Sequence, residues 1–406
     1  MRSLRAALLV VVALVASLPI GANAELDKSD NVTLVRHFPF KGSPEKAVAG
    51  EGATDIAFQG RYVYAAQQSA TPAGGIHIFD VRGPKPKKVG FVSCPGTQND
   101  VAVVKPGLVV LGYHDSSCGG VAGEGHGIRL INVKNPKRPK YLGAVNDIPE
   151  GTHTVTTYPG GQYVYASPGG TGNSDSIEQI IDVSDPKAPK VAATYGPADG
   201  GPAAGCHDLT FFFKHDEKLA ICVGLREVQI WDVSDPVAPA TIGMVQNPSF
   251  FLNHSSDVSD DGKLLVISDE TEAQTCTGEN PDGAMWAYDF TNRTAPTPVG
   301  YFKIDRAQNP VGSERADWCT SHNFNFVPGT HAIVASWYAS GMNVVDFGED
   351  GSAPREVAWY FGNGEDTVNY WSAYWYKGKI YANDRVRGLD VFKVEGLKAG
   401  QVPPAS

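Results

Sequence analysis

One short pattern recurs seven times along this chain, and it constrains the fold more than any other feature of the sequence. The pattern is an alternating apolar segment such as GGIHIFD, IEQIID or VQIWD, followed by a turn such as VSDP and a second alternating segment. The first segments end at spacings of 47 to 57 residues, at Asp80, Asn132, Asp182, Asp232, Asp289, Asp346 and Lys393. A period of about 50 is typical of repeated supersecondary units, and strict alternation predicts β-strands.

Each repeat contains four predicted strands, because two more alternating segments, for example TDIAF and RYVYAAQ, lie between successive copies. Seven such units predict an all-β, seven-bladed β-propeller with four antiparallel strands per blade, formed by residues 25–398 as one domain and followed by a flexible tail at 399–406. The seventh unit lacks its outermost strand, and residues 31–40 look like the outermost strands elsewhere. We therefore expect this N-terminal segment to complete the last blade and close the ring.

The N-terminus has the pattern of a secretory signal. A basic start, MRSLR, precedes 15 mostly apolar residues and the small-x-small sequence Ala22-Asn23-Ala24, which predicts a signal peptide at residues 1–24. An uncleaved anchor is the alternative. We expect no membrane span after signal removal and a secreted protein, extracellular or in the periplasm or cell envelope. The formal net charge of −10 argues against nucleic acid as a partner.

The repeats resemble those of a known family. The segments IFDV, IIDV and IWDV are similar to the signature of the LVIVD-repeat proteins, exported β-propellers whose biochemical role is mostly unassigned. The resemblance covers nearly the whole mature chain. It implies the fold and export, but it implies no particular chemistry.

Four consecutive repeats carry a histidine at one equivalent position. The aligned innermost strands start at Asp55, Asp100, His153, His207, His254, His322 and Trp371. Innermost strands line the central channel of a propeller, so residues at their starts can converge near its mouth. Neutral imidazoles are good ligands for transition metals, so the pattern predicts a metal ion, Cu, Fe or Zn, held by the four histidines.

Known propellers offer two precedents for such histidines. The arrangement resembles the four-histidine iron site of carotenoid-cleaving oxygenases and the histidine-lined channels of selenium-binding-protein or methanethiol-oxidase propellers, a likeness of fold that transfers no substrate. In Trp-Asp repeat propellers, by contrast, a histidine before the innermost strand bonds to Ser or Thr and Asp in its own blade and only locks the sheet. A metal-free ligand pocket is a third possibility.

Further candidates come from the ends of the second strands, which return to the same rim. Glu270 is a candidate general base beside a metal, and Asp384 with Arg385 are candidate pocket residues, the arginine for an anionic substrate. Asp55, Asp100 and Trp371 complete the predicted pocket. The other rim positions are Gln67, His114, Arg226 and Trp337. Surface ion pairing is the competing explanation for any one of these charges.

Two interpretations are open for Asp208 and Asp257, which follow His207 and His254 closely. Their carboxylates could orient metal-bound imidazoles or satisfy structural ones.

The six cysteines are plausible disulfide formers in an exported chain. Predicted proximity at one rim favours the pairs Cys94–Cys118 and Cys276–Cys319. Cys206 and Cys222 lie on paired strands, but the hairpin would place Cys206 opposite Arg226, so a third bond is not expected. Cys206 is then either a thiolate ligand beside His207 or a buried inert thiol.

Two classes of function follow from these patterns. The first is a metal-dependent, oxidoreductase-like protein that acts on an unidentified small molecule. The second is a noncatalytic extracellular or cell-envelope propeller that recognises a protein or glycan and whose histidines are structural. The sequence contains no GxSxG, HExxH or GxxxxGK[ST] motif, so the familiar templates for those chemistries do not apply.

Overall fold

The computed structural model describes most of the chain. The described residues are 27–44, 50–114, 118, 125–146, 148–149, 151–169, 177–196, 205–224, 227–250, 252–270, 281–304, 319–362 and 368–404. The predicted signal peptide at 1–24 lies outside them and stays a prediction. Within the described residues the regular structure consists of β-strands, with no helix long and apolar enough to cross a membrane.

The strands form seven separate antiparallel sheets, which we number as blades 1 to 7. Two strands precede blade 1, namely β1 (Asp27–Lys28) and β2 (Val32–Pro39). Blade 1 contains β3 (Gly52–Gln59), β4 (Tyr62–Gln68), β5 (Gly75–Asp80) and β6 (Lys87–Ser93). Blade 2 contains β7 (Asp100–Lys105), β8 (Leu108–Tyr113), β9 (Gly127–Asn132) and β10 (Lys140–Val145). Blade 3 contains β11 (Thr154–Thr157), β12 (Tyr163–Ser167), β13 (Glu178–Asp182) and β14 (Lys190–Tyr195).

The remaining blades follow the same order. Blade 4 contains β15 (Asp208–Phe212), β16 (Leu219–Val223), β17 (Glu227–Asp232) and β18 (Ala240–Gln246). Blade 5 contains β19 (Asn253–Val258), β20 (Leu264–Asp269), β21 (Met285–Asp289) and β22 (Thr297–Phe302). Blade 6 contains β23 (Phe324–Phe326), β24 (Ala332–Ser336), β25 (Met342–Asp346) and β26 (Arg355–Gly362). Blade 7 contains β27 (Tyr370–Tyr376), β28 (Lys379–Asp384) and β29 (Gly388–Val394).

The N-terminal strand closes the ring, as the sequence predicts. Strand β2 pairs antiparallel with β29, and the register runs from Val32 opposite Val394 to Pro39 opposite Gly388. Blade 7 therefore has four strands whose outermost member comes from the other end of the chain. The short strand β1 adds a fifth strand to blade 6 by pairing with β26, which the sequence did not predict.

The hydrophobic core is divided among the contacts between blades. Seven buried apolar clusters occur in the described residues, and each one joins two neighbouring blades. In the cluster between blades 7 and 1, for example, Phe79 and Tyr381 are both almost completely buried. Since each sheet is covered on both faces, its strands are apolar on both sides in the interior, and the innermost strands are held rigidly around the channel.

The turn of the repeat is held by aspartate or asparagine side chains, and a glycine on the outermost strand of the preceding blade packs against it. In the DVSDP turn of blade 3, Asp182 accepts a hydrogen bond from the Ser184 amide at 2.9 Å, and Asp185 accepts one from the Lys187 amide at 3.0 Å. The outermost strands pack their glycines against the turn of the next blade. A Cβ atom on Gly90 would lie 1.8 Å from the Pro136 carbonyl oxygen, so only glycine permits this approach between blades.

Candidate metal centre at the channel

The four aligned histidines lie side by side in a row. His153, His207 and His322 come just before the innermost strands of blades 3, 4 and 6, and His254 is the second residue of β19 in blade 5. The ring centroids of His153 and His207 are 4.3 Å apart, and the same distance separates His207 from His254. His254 and His322 are 3.7 Å apart. The closed ring of blades thus brings together residues that are separated by 47 to 68 positions in sequence.

A carboxylate and a fifth imidazole adjoin this row. Glu270, which directly follows β20, places its Oε2 3.6 Å from Nε2 of His254 and its Oε1 3.8 Å from Nε2 of His322. Candidate ligand atoms of His207, His254 and Glu270 all lie within 4.8 Å of one another. At the other end of the row, the ring of His114 lies 5.5 Å from that of His153. The sequence identifies His114 as a rim residue but not as part of the histidine row.

The electrostatic environment keeps these imidazoles neutral. Burial lowers the pKa of His153, His207, His254 and His322 well below the ordinary value of 6.5, and the neighbouring imidazoles lower each pKa further. A neutral imidazole retains a lone pair that can bind a metal ion. The Nδ1 atoms of His207 and His254 are buried and have no hydrogen-bond partner among the residues that the structure describes.

The tautomer of His322 follows from its surroundings. Its Nδ1 lies within hydrogen-bonding distance of the backbone oxygen of Trp371, and a carbonyl oxygen can only accept, so Nδ1 must carry the proton. In the neutral ring, Nε2 then presents a lone pair toward Oε1 of Glu270 at 3.8 Å. Two acceptors face each other at this distance, which is an arrangement that a cation between them would stabilise.

Tyr338 holds Glu270 in place. Its hydroxyl donates a hydrogen bond of 2.6 Å to Oε1 of Glu270, and burial together with the Glu270 charge raises the pKa of Tyr338 well above 10.0, so the hydroxyl stays protonated. Tyr338 is not among the residues predicted from sequence, although it directly follows Trp337, which is predicted to lie at the rim. The indole of Trp337 instead donates a hydrogen bond of 2.9 Å to Asn343 in the interior of blade 6.

Arg385 and Trp371 lie beside the same end of the row. The Cζ atom of Arg385 is 5.4 Å from the centre of the Trp371 ring and 5.8 Å from that of Tyr338. The Trp371 ring is in turn 4.8 Å from His322. Of the residues predicted at this rim, Arg385 and Trp371 therefore border the histidine row.

Asp384, unlike its neighbour Arg385, bonds to the backbone of its own blade. Its carboxylate accepts hydrogen bonds from the backbone amides of Asn369, Val386 and Arg387 at 2.9 to 3.1 Å and organises the turn after β28. Burial raises its pKa to about 6. These bonds give Asp384 a structural role in blade 7.

Asp208 and Asp257 take neither of the roles proposed from sequence. Asp208 accepts from the Leu209 amide at 2.7 Å, and Asp257 accepts from the amides of Val258 at 2.8 Å and Phe326 at 2.9 Å. No imidazole is among these partners. The reason is the alternation of the strand, which directs each aspartate away from the histidine that precedes it and into the channel.

Asp55 and Asp100 lie in the same part of the channel. Tyr374 donates to Asp55 at 2.6 Å, and the Val155 amide donates to Asp100 at 2.6 Å. Together with His153 and His254, the four aspartates border a cavity of about 440 Å³ whose walls come from the innermost strands of all seven blades.

Two disulfides are present in the described residues. The predicted bond between Cys94 and Cys118 is confirmed. The expectation of no bond between Cys206 and Cys222 was wrong, because these residues are linked, with Cα atoms 5.1 Å apart. The ladder of β15 and β16 ends at Asp208, so Cys206 lies outside the register that seemed to separate the two cysteines. A thiolate-ligand role for Cys206 is thereby removed.

The second predicted disulfide is only partly within the described residues. Cys319 is not a free thiol. Cys276 lies outside the described residues, as does Arg226, and the Cys276–Cys319 bond stays a prediction.

The fold and site together define a seven-bladed β-propeller with a buried histidine and carboxylate cluster. No protein-family model matches the chain, and no curated protein matches it. Among solved structures, the chain is similar to a functionally unknown protein from Desulfotomaculum acetoxidans DSM 771, with a TM-score of 0.56 and 11% identity over 79% of this chain and 89% of that one. At this identity the similarity supports the fold alone.

Proposed function

We propose that this propeller is an exported, LVIVD-repeat, metal-dependent protein with an oxidoreductase-like function. The metal is a transition metal ion held by His207, His254 and Glu270, with His322 and His153 alongside. The observation that carries the proposal is the carboxylate of Glu270 placed between the Nε2 atoms of His254 and His322 at 3.6 and 3.8 Å. Both separations are too long for hydrogen bonds, and both suit a shared cation.

The donor set narrows the chemistry. Two imidazoles and one carboxylate, with further positions open, are the ligands of non-haem Fe(II) oxygenases, whereas the same set also serves zinc hydrolases. Imidazole ligands suit copper as well. We favour iron or copper, because an oxidoreductase needs a metal that changes its oxidation state. When bound, such a metal would supply redox chemistry at an open coordination position.

The protein residues would position and neutralise this centre. Tyr338 fixes one oxygen of Glu270 and leaves the carboxylate directed at the histidines. Burial keeps the imidazoles unprotonated, so metal binding does not compete with protons at neutral pH. Arg385, beside Trp371 and Tyr338, is placed to hold an anionic group of a substrate.

Export is proposed from residues 1–24, and disulfides support it. Bonds such as Cys94–Cys118 and Cys206–Cys222 persist in oxidising compartments and are rare in the cytosol. Secretion outside the cell or into the periplasm or cell envelope accounts for both features.

Elemental analysis of the protein purified without added metal tests the proposal. We expect stoichiometric iron or copper in the wild type and its loss in the double variant His207→Ala, His254→Ala. The matched control is His331→Ala, which removes an imidazole bonded to Asp261 away from the row and should keep the metal. Circular dichroism confirms that each variant is folded.

A clear negative result would favour the other class of function. If the wild type is fully stable, carries no metal and does not bind added Fe, Cu or Zn, the metal proposal is wrong. The protein would then be a noncatalytic propeller that recognises a protein or glycan, with histidines that only pack.

A further inference from the structure

The cavity in the central channel is distinct from the histidine row that borders it. It measures about 440 Å³, which is within the range of small-molecule pockets and much larger than one ion requires. His153 and His254 form part of its wall, and the channel aspartates Asp55, Asp100 and Asp208 form another part. Asp55 and Asp208 are half-buried and Asp100 is buried, and all three line the cavity.

The charge of this cavity is one-sided. Among the described residues that line it are four aspartates and no lysine or arginine. Burial raises the pKa of both Asp55 and Asp100, and the charge on Asp55 raises the pKa of Asp100 further, so Asp55 carries the negative charge of the pair at neutral pH. Desolvation raises the pKa of Asp55 to about 6, because the charged form of a carboxyl group buried among the blades without a counterion is unfavourable.

The aspartates are fixed in position before any ligand binds. Tyr374 anchors one oxygen of Asp55, and the Val155 amide anchors one oxygen of Asp100. Rigidity of this kind favours binding, because little side-chain entropy is lost.

An unpartnered hydroxyl borders the same cavity and can accept a hydrogen bond as well as donate one. Ser256 is 5% exposed, and its hydroxyl has no hydrogen-bond partner among the described residues. A buried hydroxyl without a partner costs free energy unless a ligand or water satisfies it. The aromatic residues Phe58, Trp371 and Tyr374 border the same cavity and offer faces to an alkyl chain or a cation.

A directly coordinated metal ion does not account for these features. Within the described residues, the group with three candidate ligand atoms inside 4.8 Å is the one formed by His207, His254 and Glu270. The channel aspartates are not part of it. The cavity therefore suits an organic cation with N–H donors better than a bare ion.

We propose that the channel cavity is a binding site for a small protonated primary amine, whose ammonium group lies against Asp55 and Asp100 and whose alkyl part contacts the aromatic wall. The ammonium supplies the positive charge that the lining lacks and donors for Ser256 and the carboxylates. The site does not depend on the proposed metal centre, although His153 and His254 border both.

Isothermal titration calorimetry at pH 8 tests the proposal, with butylamine as the probe and butan-1-ol as its neutral match. We expect butylamine to bind at least about tenfold more tightly than butanol. The double variant Asp55→Asn, Asp100→Asn should lose this preference, whereas Asp350→Asn, at an exposed turn, should keep it. Asparagine keeps the acceptor for Tyr374, so the variant should fold, and circular dichroism checks this.

Two results would overturn the proposal. One is equal affinity for butylamine and butanol, including no binding of either. The other is binding of Ca²⁺ by the wild type that abolishes butylamine binding. If the aspartate variant does not fold, the preference of the wild type for amine over alcohol still decides. The double variant His207→Ala, Glu270→Gln separates the two proposals, because neither residue lines the cavity, so it should lose the metal and keep butylamine binding.

Discussion

Glu178 provides a quantitative test of the electrostatics around the histidine row. It begins β13 in blade 3, is completely buried, and receives a hydrogen bond of 2.9 Å from Ser167 on one oxygen. The other oxygen has no partner within the described part of the chain. The carbonyl of Ser167 accepts the backbone amide of His153 at 2.8 Å. Glu178 thus lies directly behind the strand end that carries the first histidine of the row.

The expected effect of Glu178→Gln depends on pH. Burial raises the pKa of Glu178 to about 8 from an ordinary 4.5. Between these values the folded state keeps a proton that the unfolded state releases, so stability falls as pH rises through this window. The full loss is on the order of 5 kcal/mol, at about 1.4 kcal/mol for each pH unit. Glutamine cannot ionise, so the variant should gain on the wild type from pH 5 to pH 8.

Urea unfolding followed by tryptophan fluorescence measures this difference. Any change in hydrogen bonding caused by the amide adds a contribution that does not vary with pH, so the informative quantity is the change in the free-energy difference between pH 5 and pH 8. Glu227→Gln is the matched control, because it removes a half-buried carboxylate from the start of β17, the corresponding strand of blade 4. If the Glu178 variant shows the same difference from wild type at both pH values, the burial argument is incorrect.

Two further predictions concern the residues around the metal centre. Tyr338→Phe removes the donor to Glu270 and should weaken metal affinity by about tenfold, measured in competition with a chromogenic chelator. The control Tyr374→Phe removes a donor to Asp55 and should leave metal affinity unchanged. Equal metal affinities of the two variants would refute the positioning role of Tyr338. Cys206→Ser, Cys222→Ser opens a loop with a sequence separation of 16 and should cost about 3 kcal/mol in thermal or urea unfolding, and an unchanged stability would contradict the assignment.

The fold could be predicted because the sequence contains an internal repeat. Seven copies of one strand and turn pattern define seven equivalent sheets, and the missing strand of the last copy leaves residues 31–40 as its replacement. Strand β1 could not be predicted in this way, since two residues carry no periodicity. The Cys206–Cys222 bond was missed because pairing was extrapolated beyond Asp208, where the ladder ends.

The candidate site could be located from sequence only as far as the repeat alignment reaches. His153, His207, His254 and His322 share one repeat position, so the ring symmetry brings them together. Contacts between non-equivalent positions have no such signal. Tyr338 reaches Glu270 from the next blade, and the direction of Asp208 into the channel depends on strand alternation at the exact residue where the ladder begins.

The hydrogen bonds of the histidine row also bear on whether the histidines are structural. A histidine that locks its own sheet bonds to Ser, Thr or Asp within its blade. Among the described residues none of the four rings makes such a bond, and the partner of His322 is a carbonyl of blade 7. The unpartnered Nδ1 atoms of His207 and His254 each cost about 1 to 3 kcal/mol if left unsatisfied. This loss of stability is hard to explain if the histidine row only stabilises the fold. If the row binds a metal ion, coordination by the imidazole nitrogens offsets the loss.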